Sequence, residues 1–99
     1  MPTYILLMNY TDQGIRDVQQ SPQRVDTTRQ IARKVGAELK DVYLTMGKYD
    51  FVIPVEAPDD QAIAKLALSL GSLGNVRTTT LKAFSEAEFR ELVKDLGSA

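Results

Sequence analysis

The eight residues from Thr3 to Tyr10, TYILLMNY, constrain this chain more than any other stretch. They are too rich in bulky apolar side chains for a loop and run into the turn-like TDQG, so they predict a strand. Alternation puts Tyr4, Leu6, Met8 and Tyr10 on one face and Ile5, Leu7 and Asn9 on the other. Both faces are largely apolar, the pattern of a strand whose sheet is covered on both sides. Any fold for this chain must supply two coverings.

From Thr11 the pattern turns helical, with Ile15 and Val18 one turn apart, until QQSPQR interrupts it. Ser21 and Pro22 suit a fresh N-cap and first helical position, because proline's missing donor is not needed there. A short helix, a kink or restart, and a second helix are expected. The second carries Val25, Thr28, Ile31, Ala32 and Val35 on one stripe, with Arg24, Arg29, Arg33 and Lys34 mostly off it and Gly36 as its stop. Residues 38–46, ELKDVYLTM, suit an edge strand bearing charges, with Val42, Leu44 and Met46 sharing a face. Asp50 to Glu56 reads as the next strand, and its Pro54, which cannot donate to a ladder, belongs near a strand end or at a bulge. APDDQ then opens a helix with carboxylates at its positive end and Ala62, Ile63, Leu66, Ala67 and Leu70 as its buried stripe. Residues 75–84, NVRTTTLKAF, form a threonine-rich strand. SEAE fits a capping box for a last helix, whose stripe is Phe89, Leu92, Val93 and Leu96.

The order β, α, β, β, α, β, α predicts the ferredoxin-like β-α-β-β-α-β arrangement, an α+β fold with two helices on one face of an antiparallel sheet in strand order 4-1-3-2, plus a C-terminal helix. Two separate βα units, as in a tautomerase-like subunit, are the alternative. The two helices cover one sheet face, and the doubly apolar first strand argues against water on the other. Two sheets packed face to face would give a dimeric α+β barrel closed by a two-fold axis, so a homodimer or higher homo-oligomer is expected. The alternative covering is the C-terminal helix of the same chain.

Ninety-nine residues make one domain, spanning 1–99, near the size where burial only just offsets chain entropy. With 12 Lys and Arg against 13 Asp and Glu there is no basic footprint for nucleic acid. Cysteine and histidine are absent, which removes disulfides, thiolate nucleophiles, the usual zinc sites, proximal-histidine haem and imidazole catalysis. No metal or cofactor is expected. Ile5 to Met8 is too short an apolar run for a signal peptide or a membrane span, so the expected location is cytoplasmic.

In the predicted strand order, three polar stretches meet at one end of the sheet: Asn9, Tyr10 and Thr11; Gly47, Lys48, Tyr49 and Asp50; Gly74, Asn75, Arg77 and Thr78. Sequence-distant polar groups gathered at one rim suit a binding cleft. Asp50 could serve as a general base, Tyr49 or Tyr10 as a hydrogen-bond donor or acid, and Lys48 or Arg77 as a clamp for an anionic oxygen. The candidate ligand-binding residues are therefore Asn9, Tyr10, Lys48, Tyr49, Asp50 and Arg77. The structural alternative has Gly47 turning a hairpin, Tyr49 packing over the rim, and Asp50 pairing with Arg77 or bonding turn amides. Pro2 would offer a low-pKa amine for tautomerase-type proton transfer only if its nitrogen were free, and Met1 precedes it. The PDD at 58–60 reads as helix capping rather than as a metal site.

YILLMNYTDQGI, GKYDFVIPVEAPDD and LGSLGNVRTTTLKAF together resemble the bacterial and archaeal GYD-domain family. Its glycine, tyrosine, aspartate signature is carried here by Gly47, Tyr49 and Asp50, with Lys48 inserted after the glycine, and the resemblance spans roughly residues 3 to 84. It implies a small ferredoxin-like protein of the dimeric α+β barrel type. Relatives of that type include cofactor-free monooxygenases, isomerases, haem enzymes and ligand-sensing domains, of which the lack of histidine disfavours the haem enzymes. The expected function is binding of a small organic or anionic molecule near the rim. A non-catalytic structural or regulatory assembly module is the alternative.

Overall fold

The first strand, β1 (Thr3–Tyr10), lies in the interior of the sheet, hydrogen-bonded to a strand on each side. A computed structural model describes residues 1–97. After β1 come α1 (Asp12–Arg16), a 3-10 turn (Val18–Gln20), α2 (Ser21–Lys34), β2 (Glu38–Leu39), β3 (Tyr43–Leu44), β4 (Phe51–Glu56), α3 (Asp60–Ser72), β5 (Val76–Ala83) and α4 (Glu86–Lys94). The sheet order is β2-β4-β1-β5, with β3 also paired to β4 and every pairing antiparallel. This is the ferredoxin-like order expected from the sequence, not that of two separate βα units.

The helix restart at QQSPQR is present, but Ser21 is the first helical residue rather than the cap, with Gln20 at the capping position. A larger correction concerns residues 38–46, which do not form one strand. Glu38 and Leu39 pair with Glu56 and Val55, whereas Tyr43 and Leu44 pair with Val52 and Phe51, so residues 40–42 face only Ile53 and Pro54. That is a bulge, and Pro54 causes it. Its carbonyl accepts from the Lys40 amide at 2.8 Å, which places its own nitrogen on the same side of β4, where an unbroken partner strand would need a donor.

One face of the sheet is packed. Tyr4, Leu6 and Met8 of β1 and Ile53 and Val55 of β4 are buried against Ile63, Leu66 and Leu70 of α3, with Ala32 contributed by α2. Asp59 caps α3 by accepting from the Ala62 amide at 2.9 Å. On the other face, the register aligns Ile5 with Pro54 and Leu81, and Leu7 with Val52 and Thr79. Among the described residues no helix covers this face: α4 buries none of its side chains, and Phe89 and Leu92 stay 58% and 49% exposed. The alternative in which the C-terminal helix closes this face within one chain is therefore excluded. Because α4 stands off the body, the molecule measures 54 × 30 × 18 Å.

Candidate functional site

The three polar stretches do converge. Met8 lies opposite Phe51, Tyr10 opposite Val76 and Asn9 opposite Arg77, so the end of β1 meets the starts of β4 and β5. Two clasps hold this rim together. The Asp50 carboxylate accepts the Tyr10 amide at 2.8 Å while the Asp50 amide donates to the Met8 carbonyl at 2.8 Å. On the other flank, the Thr11 amide donates to the Asn75 carbonyl (3.1 Å) and the Thr11 hydroxyl to the Gly74 carbonyl (2.6 Å). Gly14 is needed for this second clasp, since a Cβ there would stand 1.9 Å from the Asn75 carbonyl oxygen.

The hairpin before β4 is built from the signature residues. Gly47 has φ of 131°, a region open to glycine. Thr45 closes the loop, its amide donating to the Asp50 carbonyl and its hydroxyl to the Tyr49 carbonyl. Lys48 Nζ lies 5.6 Å from the centroid of the Tyr49 ring.

Beneath the rim is a half-open cavity of about 290 Å³ between the sheet and helices α2 and α3. Its origin is in the sequence of α2. The first two turns of that helix offer Ser21, Arg24, Val25 and Thr28 to the sheet, side chains too small or too polar to fill the space that Leu66 and Leu70 fill beneath α3. Met8, Phe51, Ile53 and Val76 form the sheet side. Val42 and Leu73 also line it. The Tyr10 ring meets Phe51 edge-on at 5.4 Å, and its hydroxyl lies 2.6 Å from the Ser21 hydroxyl.

The six residues singled out in the sequence separate into three groups. Tyr10 lines the cavity. Asp50, Tyr49 and Lys48 build the rim and hairpin beside it, with the Asp50 carboxylate engaged by the Tyr10 amide rather than by Arg77. Asn9 and Arg77 face each other on the opposite, open side of the sheet. Arg24, Ser21 and Thr28 were not among the candidate binding residues, and Arg24, expected mostly off the inward stripe of α2, lines the cavity beside Val25 and Thr28. Their spacing of three, then four, residues could have shown that they share a helix face with Val25.

A second polar cluster lies at the far end of the sheet, where the Tyr4 hydroxyl donates to Asp60 Oδ1 and Lys82 Nζ approaches the same oxygen at 3.2 Å. The hydrogen bond to Asp60, helped by burial and by the nearby carboxylates, pushes the Tyr4 phenol up to about 12. The same bond, together with Lys82, holds Asp60 below the usual carboxylate range. Pro2 borders this cluster, its nitrogen in peptide linkage to Met1. Among the described residues no group of three or more His, Cys, Asp or Glu could hold a metal ion, and no helix is long and apolar enough to cross a membrane.

Strand order, two helices on one sheet face and a cavity between the layers define a small ferredoxin-like α+β protein. The chain belongs to the GYD-domain family, whose profile matches residues 4–93. It is 37% identical over 89 residues to a protein of Thermus thermophilus named "Glutamine synthetase and cystathionine beta-lyase binding protein", a match covering 89% of this chain and 94% of that one. Among solved structures it resembles TTHA0845 from Thermus thermophilus, with a TM-score of 0.56, 25% identity and coverage of 86% of this chain and 95% of that one. It also resembles MtbAldR (Rv2779c), with a TM-score of 0.67 and 19% identity over 86% of this chain. The chain spans about half of MtbAldR, 52% of its length, and that likeness concerns the fold alone.

Proposed function

We propose that this protein is a homo-oligomeric binding module that holds a small organic molecule in the cavity beneath the rim. The observation that carries this reading is the cavity itself: about 290 Å³, mostly apolar, and edged by a few convergent polar groups. Tyr10 belongs to the ligand site, Lys48, Tyr49 and Asp50 shape its rim, and Asn9 and Arg77 serve the opposite sheet face. That face joins two copies, because Ile5, Leu7, Val52 and Leu81 otherwise leave a contiguous apolar surface in water. A thermal-shift screen against small organic acids, amides and amines tests the binding role. A ligand at a hundred times its Kd stabilises the folded state by about 2.7 kcal/mol, so a true ligand raises Tm, and filling the cavity with Val25→Phe abolishes that rise. A screen in which nothing raises Tm overturns the proposal.

A second reading draws on the relative whose name describes binding to two enzymes, together with the exposed apolar stripe of α4. In it, the module docks on a metabolic enzyme and the cavity ligand modulates that contact. Co-sedimentation with glutamine synthetase and cystathionine beta-lyase checks it, and the absence of any complex with either enzyme dismisses it.

A further inference from the structure

The cavity is asymmetric in charge. Among the described residues that line it, Arg24 is the one ionisable group other than the Tyr10 phenol and none is a carboxylate; the Asp50 carboxylate on the rim is engaged by the Tyr10 amide. One guanidinium nitrogen, Nη1, donates to the Gly14 carbonyl at 2.8 Å, which fixes the head group near the α1 end of the cavity. Among the described residues no acidic side chain lies within ion-pair distance of it. The Tyr10 and Ser21 hydroxyls share their hydrogen bond in the same lining, and Asn75 Oδ1 is already taken by Gln13. A half-buried, forked cation without a carboxylate partner, at the edge of an apolar chamber, is the counterpart of a planar anionic group attached to an apolar body.

We propose that the ligand is a monocarboxylate with an aryl or branched-alkyl body and no ammonium group, its carboxylate paired with Arg24. This deepens the binding role given above and rests on it. The half-open space of about 290 Å³ has room for a small molecule of about ten non-hydrogen atoms. Phenylacetate has that size. The absence of a carboxylate in the lining sets the second half of the specificity, since an α-amino acid would bring an ammonium group into a site with no anion to meet it.

The test is calorimetric titration of the protein with phenylacetate, phenylacetamide, phenylalanine and phenethylamine, which separate head-group charge from the ring. Phenylacetate is expected to bind at least tenfold more tightly than each of the others, and Arg24→Gln is expected to erase that preference. Phenylacetamide binding as tightly as phenylacetate in the native chain overturns the Arg24 assignment while leaving cavity binding intact, and it does so without needing the variant to fold. A preference for phenylalanine or phenethylamine overturns the exclusion of ammonium. If none of the four binds and a broad screen of other chemistries also fails, both the assignment and the binding role fall. If another chemistry binds instead and Val25→Phe blocks it, only the carboxylate assignment is overturned.

Discussion

At Gly14 the α1 backbone passes so close to the Asn75 carbonyl that no side chain fits. Gly14→Ala should push apart the Thr11 clasp and destabilise the fold by about 1–3 kcal/mol, the usual range for overpacking a tight contact, as measured by chemical denaturation. Asp50→Ala leaves the Tyr10 amide without its acceptor and should cost about 1–3 kcal/mol by the same measurement, an effect expected whether or not a ligand binds. Tyr4 carries a pH dependence. Its phenol titrates near 12 in the folded state against 10.0 for an unperturbed tyrosine, so the folded state keeps its proton longer. The associated stabilisation is complete below about pH 10 and is lost as pH rises towards 12. Asp60 has the opposite sign: its depressed pKa gives stabilisation that is lost as pH falls through the acidic range. Tyr4→Phe should therefore flatten the alkaline limb of a Tm against pH profile, and an unchanged limb would show that another group governs it. The rim residues were legible in the sequence because turn chemistry and strand order are local and topological matters. The place of Arg24 in the cavity lining was not, because it depends on what the first turns of α2 fail to fill, and a void leaves no mark on hydrophobic periodicity.

Among the elements, periodicity located β1, α2, α3 and α4 well, since each has a stripe that repeats over several turns or alternations. The edge strand at 38–46 failed for a reason carried by its neighbour: Pro54 removes a donor from β4, and the strand beside it breaks into two short pieces with a shifted register. Nothing within ELKDVYLTM announces this. The last helix has a capping box, with Ser85 accepting from the Glu88 amide at 3.1 Å and Glu88 accepting from the Ser85 amide at 2.9 Å, so its start is defined locally. Yet α4 buries none of its side chains within the described chain, and a helix of nine residues is marginal on its own. Ending the chain after Phe84 should leave the denaturation midpoint of a dilute, monomeric sample nearly unchanged. A large fall in that midpoint would mean that α4 stabilises the body of the fold.

The whole molecule leaves one sheet face open. Leu81, 48% exposed, sits on it in register with Ile5 and Pro54. If copies join through this face as proposed, Leu81→Glu should convert the oligomer to monomer in sedimentation experiments while the far-ultraviolet circular dichroism stays the same, because Leu81 lies outside the intrachain core. Unchanged oligomer size would overturn this face as the contact, and a native chain that sediments as a monomer would overturn the proposed assembly. Sequence reasoning reached this open face through the two apolar sides of β1.

The bulge at Pro54 also matters at the borders of the sheet. The β2 and β3 border is broken into two-residue pieces with mismatched register, and so offers no continuous row of backbone donors and acceptors. The opposite border, β5, is eight residues long and pairs on one side only. A fibre grows when every subunit has two templating borders, one to receive and one to present. This subunit has one. Pairing β5 with a second β5 would use up both at once, so strand addition between copies ends at a pair and cannot propagate.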